Sequence, residues 1–150
     1  MQTEPHIESR AERPYVAIAA AVSMQEESKA IARHLGELRQ WLNSHQLRAA
    51  GAPFVRYRRI EMPHRLEIEV ALPLASATAG DADVIADSLP AGRYAVLVHN
   101  GPVQELVAAN ALLQAWARQQ GIRFDTDETG QASVWRCRTE TMLTDPRAEP

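Results

Sequence analysis

The clearest pattern along the chain is an alternation of Leu66, Ile68, Val70 and Leu72 with Arg65, Glu67, Glu69 and Ala71. A period of two puts each set on its own face of a β-strand, so one face packs on helices and the other is polar. Residues 15–22 are continuously apolar and rich in Ala and Val, which predicts a central strand covered on both faces. Ser23 and Glu26 have the spacing of a capping box. Beyond them Ile31, Leu35, Leu38 and Leu42 form one stripe of an amphipathic helix ending near His45 and Gln46. Residues 49–53 break that pattern. Residues 54–60 then predict a strand with Phe54, Arg56 and Arg58 on one face and Val55, Tyr57 and Arg59 on the other, followed by a turn over 61–64 around Pro63.

The second half repeats this order. Residues 75–83, small and polar, predict a mobile linker between two halves, and residues 94–99 a strand with 89–92 as its lead-in. Gly101-Pro102 suits a first helical turn. Leu106, Ala109, Leu113 and Trp116 make the apolar stripe that follows, and Gly121 is placed to end the helix in a left-handed conformation. Residues 125–130 predict a loop. Residues 134–144 predict a strand stopped by Asp145-Pro146, with Arg136, Arg138, Glu140 and Met142 on one face and Trp135, Cys137, Thr139 and Thr141 on the other.

Ile31, Leu38, Trp41 and Leu47 match Leu106, Leu113, Trp116 and Ile122 at a constant offset of 75. Two readings stand: a duplicated strand-helix-strand-strand module, over about 14–74 and 89–150, or chance agreement between two amphipathic helices. Duplication predicts an α+β fold in which an antiparallel sheet carries both helices on one face, with a ligand groove between the halves.

The chain has 150 residues, and at 45% hydrophobic and 23% charged it has the composition of one globular domain, spanning 14–150. Residues 1–13 offer little to bury and are expected to form a flexible tail. The formal charge of −3 provides no basic field for nucleic acid, so direct DNA binding is not expected. No run spans a membrane. The single Cys137 cannot form an internal disulfide, and a cytoplasmic location is expected. The histidines have no metal-ligand spacing, and no phosphate loop, dinucleotide fingerprint or nucleophile elbow is present, so neither metal nor cofactor is expected.

The run Leu89-Pro90-Ala91-Gly92-Arg93-Tyr94-Ala95-Val96 followed by His99-Asn100-Gly101-Pro102 resembles the middle of the GyrI-like small-molecule-binding domain, the effector-binding domain of AraC-type and multidrug-responsive transcription activators. Gly51-Ala52-Pro53-Phe54 with Tyr57, Glu69-Val70-Ala71-Leu72-Pro73, Trp116 with Gly121-Ile122, and Glu140 with Leu143-Thr144-Asp145-Pro146 agree in order, covering 14–146. The resemblance implies a groove in which a glutamate, here Glu140, meets cationic, aromatic or otherwise hydrophobic compounds. Met142 replaces an aromatic that the family usually carries. The resemblance runs out at Pro150, where the family adds a final strand; the sheet edge then either lacks that strand or is completed by the N-terminal segment or a partner subunit.

The residues themselves supply candidates for such a groove. A carboxylate withdrawn from water favours a cationic ligand, which is the role open to Glu140; pairing with Arg136 or Arg138 on an exposed strand is the other reading. Two arginines beside Glu140 would turn preference toward neutral or anionic ligands. Phe54, Tyr57, Tyr94 and Trp135 are candidate aromatic walls, with Arg138, Met142 and Glu69 beside them. Arg56, Arg58 and Arg59 form a basic stripe that is either solvated or a phosphate holder. The expected function is that of a stand-alone binder that sequesters or senses a small molecule, with a homodimer or protein partner left open. The resemblance implies an alternative as well, a hydrolase of reactive cyclopropane-containing natural products, as some stand-alone members of the family are, with Glu140 as general base or electrostatic stabiliser and Tyr57 as proton donor.

Overall fold

Ser23 and Glu26 form the capping box that their spacing predicts: the Ser23 N–H donates to Glu26 Oε1 at 3.1 Å, and the Glu26 N–H to Ser23 Oγ at 3.2 Å. The computed structural model describes residues 4–61, 65–81, 83–99, 105–129 and 132–142. Helix α1 (Glu27–Ser44) starts directly after the box. Its Leu35, Leu38 and Leu42 are buried against the alternating apolar set of β4 (Arg65–Pro73) and against Val16 and Ile18 of β2 (Arg13–Val22).

Strand β3 (Phe54–Glu61) lies beside β4 within an antiparallel sheet, and β5 (Val84–Leu89) forms one edge of it. Its order is β5-β2-β4-β3-β8-β7, where β7 is Thr126–Thr129 and β8 is Ala132–Trp135, and β9 (Thr139–Thr141) also pairs with β3. With α2 (Leu106–Gln119) the fold is α+β, as expected. A separate two-stranded sheet joins β1 (His6–Arg10) to β6 (Gly92–Val96).

The chain divides into two compact units. One holds β1, β6 and α2; the other holds α1 and the seven-stranded sheet. In the larger unit the sheet has a buried cluster on each face. The α1 side includes Leu38, Val55, Tyr57, Ile68 and Leu72, and the opposite side holds Tyr15, Ala17, Phe54, Ala71 and Leu89.

Several expectations need correction. Residues 6–10, expected within a loose tail, form β1, because β6 supplies its backbone partners and the Arg10 guanidinium carbon lies 5.4 Å from the Tyr94 ring centre. The stretch 75–83 does not separate the two units. It lies within the larger one and closes on Val84 through Asp81, with N–H to O distances of 2.9 and 3.0 Å, and β5 then pairs with β2. Gly80 is required in this turn, since a Cβ there would sit 2.4 Å from the Val84 carbonyl oxygen. The predicted loop at 125–130 contains β7, held by β8.

The long strand predicted over 134–144 is broken into β8 and β9. Between Tyr57 and Arg59 the partner on this edge of β3 runs from Arg138 to Val134, so the extra residues lie in the chain between β8 and β9; on its other edge β3 shifts register against β4 at the same point, with Arg58 as the extra residue. β8 pairs with Arg59–Glu61 and β9 with Phe54–Arg56 along the same edge, two registers that one continuous strand cannot meet. The same bulge takes Arg59 off the Val55–Tyr57 face: it pairs with Glu67, and its Nε lies 3.6 Å from the Glu67 carboxylate. The predicted turn at Pro63, the helix start at Gly101-Pro102 and the stop at Asp145-Pro146 lie outside the described residues.

Candidate functional site

Strand β3 alternates, so its two faces carry different chemistry. Val55 and Tyr57 point toward α1, and Phe54 and Arg56 point away. On the α1 side, Glu140 of β9 pairs in register with Val55 and brings its carboxylate to the Tyr57 hydroxyl, with Oε1 at 3.0 Å. Glu27, in the first turn of α1, places its own Oε1 at 3.0 Å from the same hydroxyl. Arg138 sits over the Tyr57 ring at 5.8 Å, and Met142 packs against the surrounding apolar cluster.

This arrangement is electrostatically unusual. Burial pushes the Tyr57 phenol well above its ordinary range, and the nearby Glu140 and Glu27 charges add to the shift, so it stays a neutral donor. Burial also raises the Glu27 carboxyl. Arg138 is held below the usual arginine range by burial, with Glu140 and Tyr57 acting in the opposite direction. With both carboxylates ionised against one guanidinium, the cluster carries one net negative charge.

The opposite face holds a second network. The Tyr15 hydroxyl donates to Glu69 and accepts from Arg56 Nη1 at 2.8 Å, while Arg58 Nε lies 3.5 Å from Glu69 Oε2. Burial, reinforced by Glu69, raises the Tyr15 phenol out of reach of ordinary pH. Phe54 is buried here, edge-on to Tyr15 with ring centres 5.2 Å apart. Trp135 lines an open concavity of about 420 Å³ together with Arg56, Arg58, Asp87, Ser88, Pro90 and Arg136.

The sequence-predicted residues therefore fall into separate groups. Glu140, Tyr57, Arg138 and Met142 meet on the α1 side; Phe54 and Glu69 lie on the other face, and Trp135 lines the concavity while its ring also carries the Arg138 guanidinium, 4.7 Å from the ring centre. Tyr94 belongs to β6 in the smaller unit. Arg136 does not flank Glu140 as strand alternation predicted, because the chain leaves the ladder between β8 and β9 and Arg136 lines the concavity instead. Arg138 alone of the two accompanies the glutamate.

Two participants were not anticipated, Glu27 and Tyr15. Glu27 had a signal in the sequence: it stands four residues before Ile31, an acid on the stripe that the helix buries. Among the described residues no three of His, Cys, Asp and Glu gather as a metal site, and no helix is long and apolar enough to cross a membrane.

Over residues 3–129 the sequence matches the family described as the GyrI-like small molecule binding domain. The chain belongs to that family. The GyrI-like match stops short of Trp135, Arg138 and Glu140, so the roles of those residues rest on their geometry. No curated protein matches the chain. Among solved structures, EcmrR in a DNA complex aligns with a TM-score of 0.74 at 13% identity, covering 97% of this chain and 52% of EcmrR. The EcmrR C-terminal domain aligns with a TM-score of 0.64 at 16% identity, covering 79% of this chain and 76% of that one. The GyrI-like chain thus shares the fold of these structures and spans about half the length of the EcmrR chain.

Proposed function

We propose that this GyrI-like domain binds a hydrophobic monocation against Glu140, Tyr57 and Glu27. The observation that carries the reading is the pair of carboxylates sharing one phenolic hydroxyl beside a single arginine. One net negative charge, partly withdrawn from water, rewards a ligand of charge +1 and disfavours an anion of the same shape. The formal charge of −3 argues in the same direction and against a phosphate backbone as partner. Binding would sequester or sense the compound.

Tetraphenylphosphonium and tetraphenylborate have the same shape and opposite charge, so thermal shift with both tests the reading. The phosphonium is expected to raise the melting temperature and the borate to leave it unchanged, with Glu140→Gln weakening phosphonium affinity by roughly ten-fold. Equal shifts with both ions, or full affinity in Glu140→Gln, would overturn it.

A second reading is favoured by one distance. The Tyr57 hydroxyl and the Glu140 carboxylate lie 3.0 Å apart, so a base able to direct water stands beside a hydrogen-bond donor, a pair that would serve a hydrolase of cyclopropane-bearing compounds. Mass spectrometry of the incubated compound separates the two: a binder returns it intact, and a hydrolase returns a product gaining one water, a conversion lost in Glu140→Gln.

A further inference from the structure

Arg56 is buried in the sheet face turned away from α1, with its side chain 6% exposed. A guanidinium offers five N–H donors. Three are engaged, all by neutral oxygens: Nη1 donates to the Tyr15 hydroxyl at 2.8 Å and the Ser88 carbonyl at 3.3 Å, and Nη2 to the Arg136 carbonyl at 2.6 Å. Nε is buried, and among the described residues no acceptor lies within hydrogen-bond distance of it. No carboxylate bonds Arg56 directly. Asp87 Oδ2 stands 3.8 Å from Nη1, and Glu69 is reached through the Tyr15 hydroxyl. A buried cation without a bonded counter-ion is costly, and a buried donor without an acceptor adds to that cost.

Beside this group lies the concavity of about 420 Å³, whose lining includes Arg56, Arg58 and Arg136 on the polar side and Trp135 and Pro90 on the apolar side. Arg58 is partly drawn to Glu69 and to Asp87, at 3.5 and 3.8 Å, and Arg136 lies 3.6 Å from Asp125. That last pair is solvated, with side chains 66% and 77% exposed, and is therefore weak. Three guanidinium groups stand against Asp87, Glu69 and Asp125, a formal balance in which the solvated Arg136–Asp125 pair leaves Arg136 the most available cation, and this suits a single carboxylate better than a phosphate dianion. The volume exceeds what a bare ion fills, and the indole of Trp135 offers a wall for a flat ring.

We infer that this concavity is a binding site for a small organic monocarboxylate, with its oxygens on Arg56 and its neighbours and its ring or chain against Trp135 and Pro90. The site differs from the Glu140 cluster in its lining and has the opposite preference in charge; Arg138 stands between the two, its guanidinium carbon 4.7 Å from the Trp135 ring centre and 5.8 Å from that of Tyr57.

The test uses the full chain with benzoate and, as its neutral counterpart, benzamide. Isothermal titration is expected to detect benzoate and not benzamide. The double variant Arg58→Ala/Arg136→Ala alters side chains 40% and 66% exposed, which leaves the buried Arg56 network in place. It is expected to weaken benzoate by at least about ten-fold. Arg59→Ala, on the same strand and outside the lining, is expected to leave benzoate affinity unchanged. Equal binding of benzoate and benzamide, binding of neither at millimolar concentration, or unaltered benzoate affinity in the double variant would overturn the assignment.

Discussion

Tyr57 has one hydroxyl proton and two carboxylate oxygens at 3.0 Å, so it cannot donate to both at once. In acid a protonated Glu27 resolves the conflict, donating to the Tyr57 oxygen while Tyr57 donates to Glu140, and the cluster is then neutral; above its raised value Glu27 ionises and restores the net negative charge that a cation offsets. Burial favours the protonated state by raising the Glu27 carboxyl above its ordinary value of 4.5. The sign of the pH dependence follows. Between the unfolded value and the raised folded value the native state binds more protons than the unfolded one, so stability falls as pH rises through that window. Glu27→Gln removes the titration while keeping a donor. Its unfolding free energy should be flatter with pH from about 4.5 upward, and higher than the parent's at pH 7. Urea unfolding at pH 4.5 and pH 7 measures this, and a variant with the parent's pH slope would mean that Glu27 is ionised throughout. Acquisition of a cation beside Glu27 opposes its protonation, so affinity for the phosphonium probe should rise with pH across the same window.

The two helices end alike. Gln46 and Gly121 both have left-handed backbone, with φ of 56° and 71°. The next residue reaches back in each case, Leu47 N–H to the Leu42 carbonyl and Ile122 N–H to the Ala117 carbonyl, both at 2.9 Å. Each pair of positions again differs by 75, which supports a duplicated module on grounds separate from the apolar stripes. Only glycine adopts this conformation without Cβ strain, so Gln46→Gly should stabilise the fold by about 0.5–1 kcal/mol and Gly121→Ala should destabilise it by about 1 kcal/mol. Chemical denaturation checks both, and a destabilised Gln46→Gly would show that the Gln46 side chain contributes more than its backbone strain costs. Helix α1, its capping box and strand β4 were legible in the sequence because burial on one face imposes a period. β5, with sequence VIADSL, and β7, with TDET, impose none, since backbone pairing holds them. β1 was hidden for the same reason: HIESR has nothing to bury and everything to pair. The break between β8 and β9 had no mark in composition, yet it places Arg136 beside Arg56 at the concavity and away from Glu140. Thus Glu140 and Tyr57 could be named from the sequence, while their separation from Glu69 and Phe54 required the register.

At the scale of the molecule, the proposed modules and the compact units do not coincide. The first module, β2-α1-β3-β4, lies wholly within the larger unit, whereas β6 and α2 of the second lie in the smaller unit and β7 and β8 pair into the larger sheet. The units are also unequal in what they bury. The larger has an apolar cluster on each face of its sheet, and in the smaller Ala109 and Ala117 are the described hydrophobic residues that are fully buried. On α2, Val107 is 71% and Leu112 43% exposed, whereas Leu35, Leu38 and Leu42 of α1 are almost wholly covered. Burying a leucine contributes about 1.5–3 kcal/mol, and an alanine contributes far less. Local opening of α2 should therefore need less free energy than opening of α1. Native-state hydrogen exchange is expected to show amides of residues 110–119 exchanging faster than those of residues 31–44, by a factor on the order of 10–100. Leu38→Ala should cost about 2–5 kcal/mol of global stability and bring α1 exchange toward the α2 rate, since it empties the centre of the larger cluster. Equal protection of both helices in the parent chain would instead mean that the two units open only together, and that the sparse apolar burial on α2 does not set its stability.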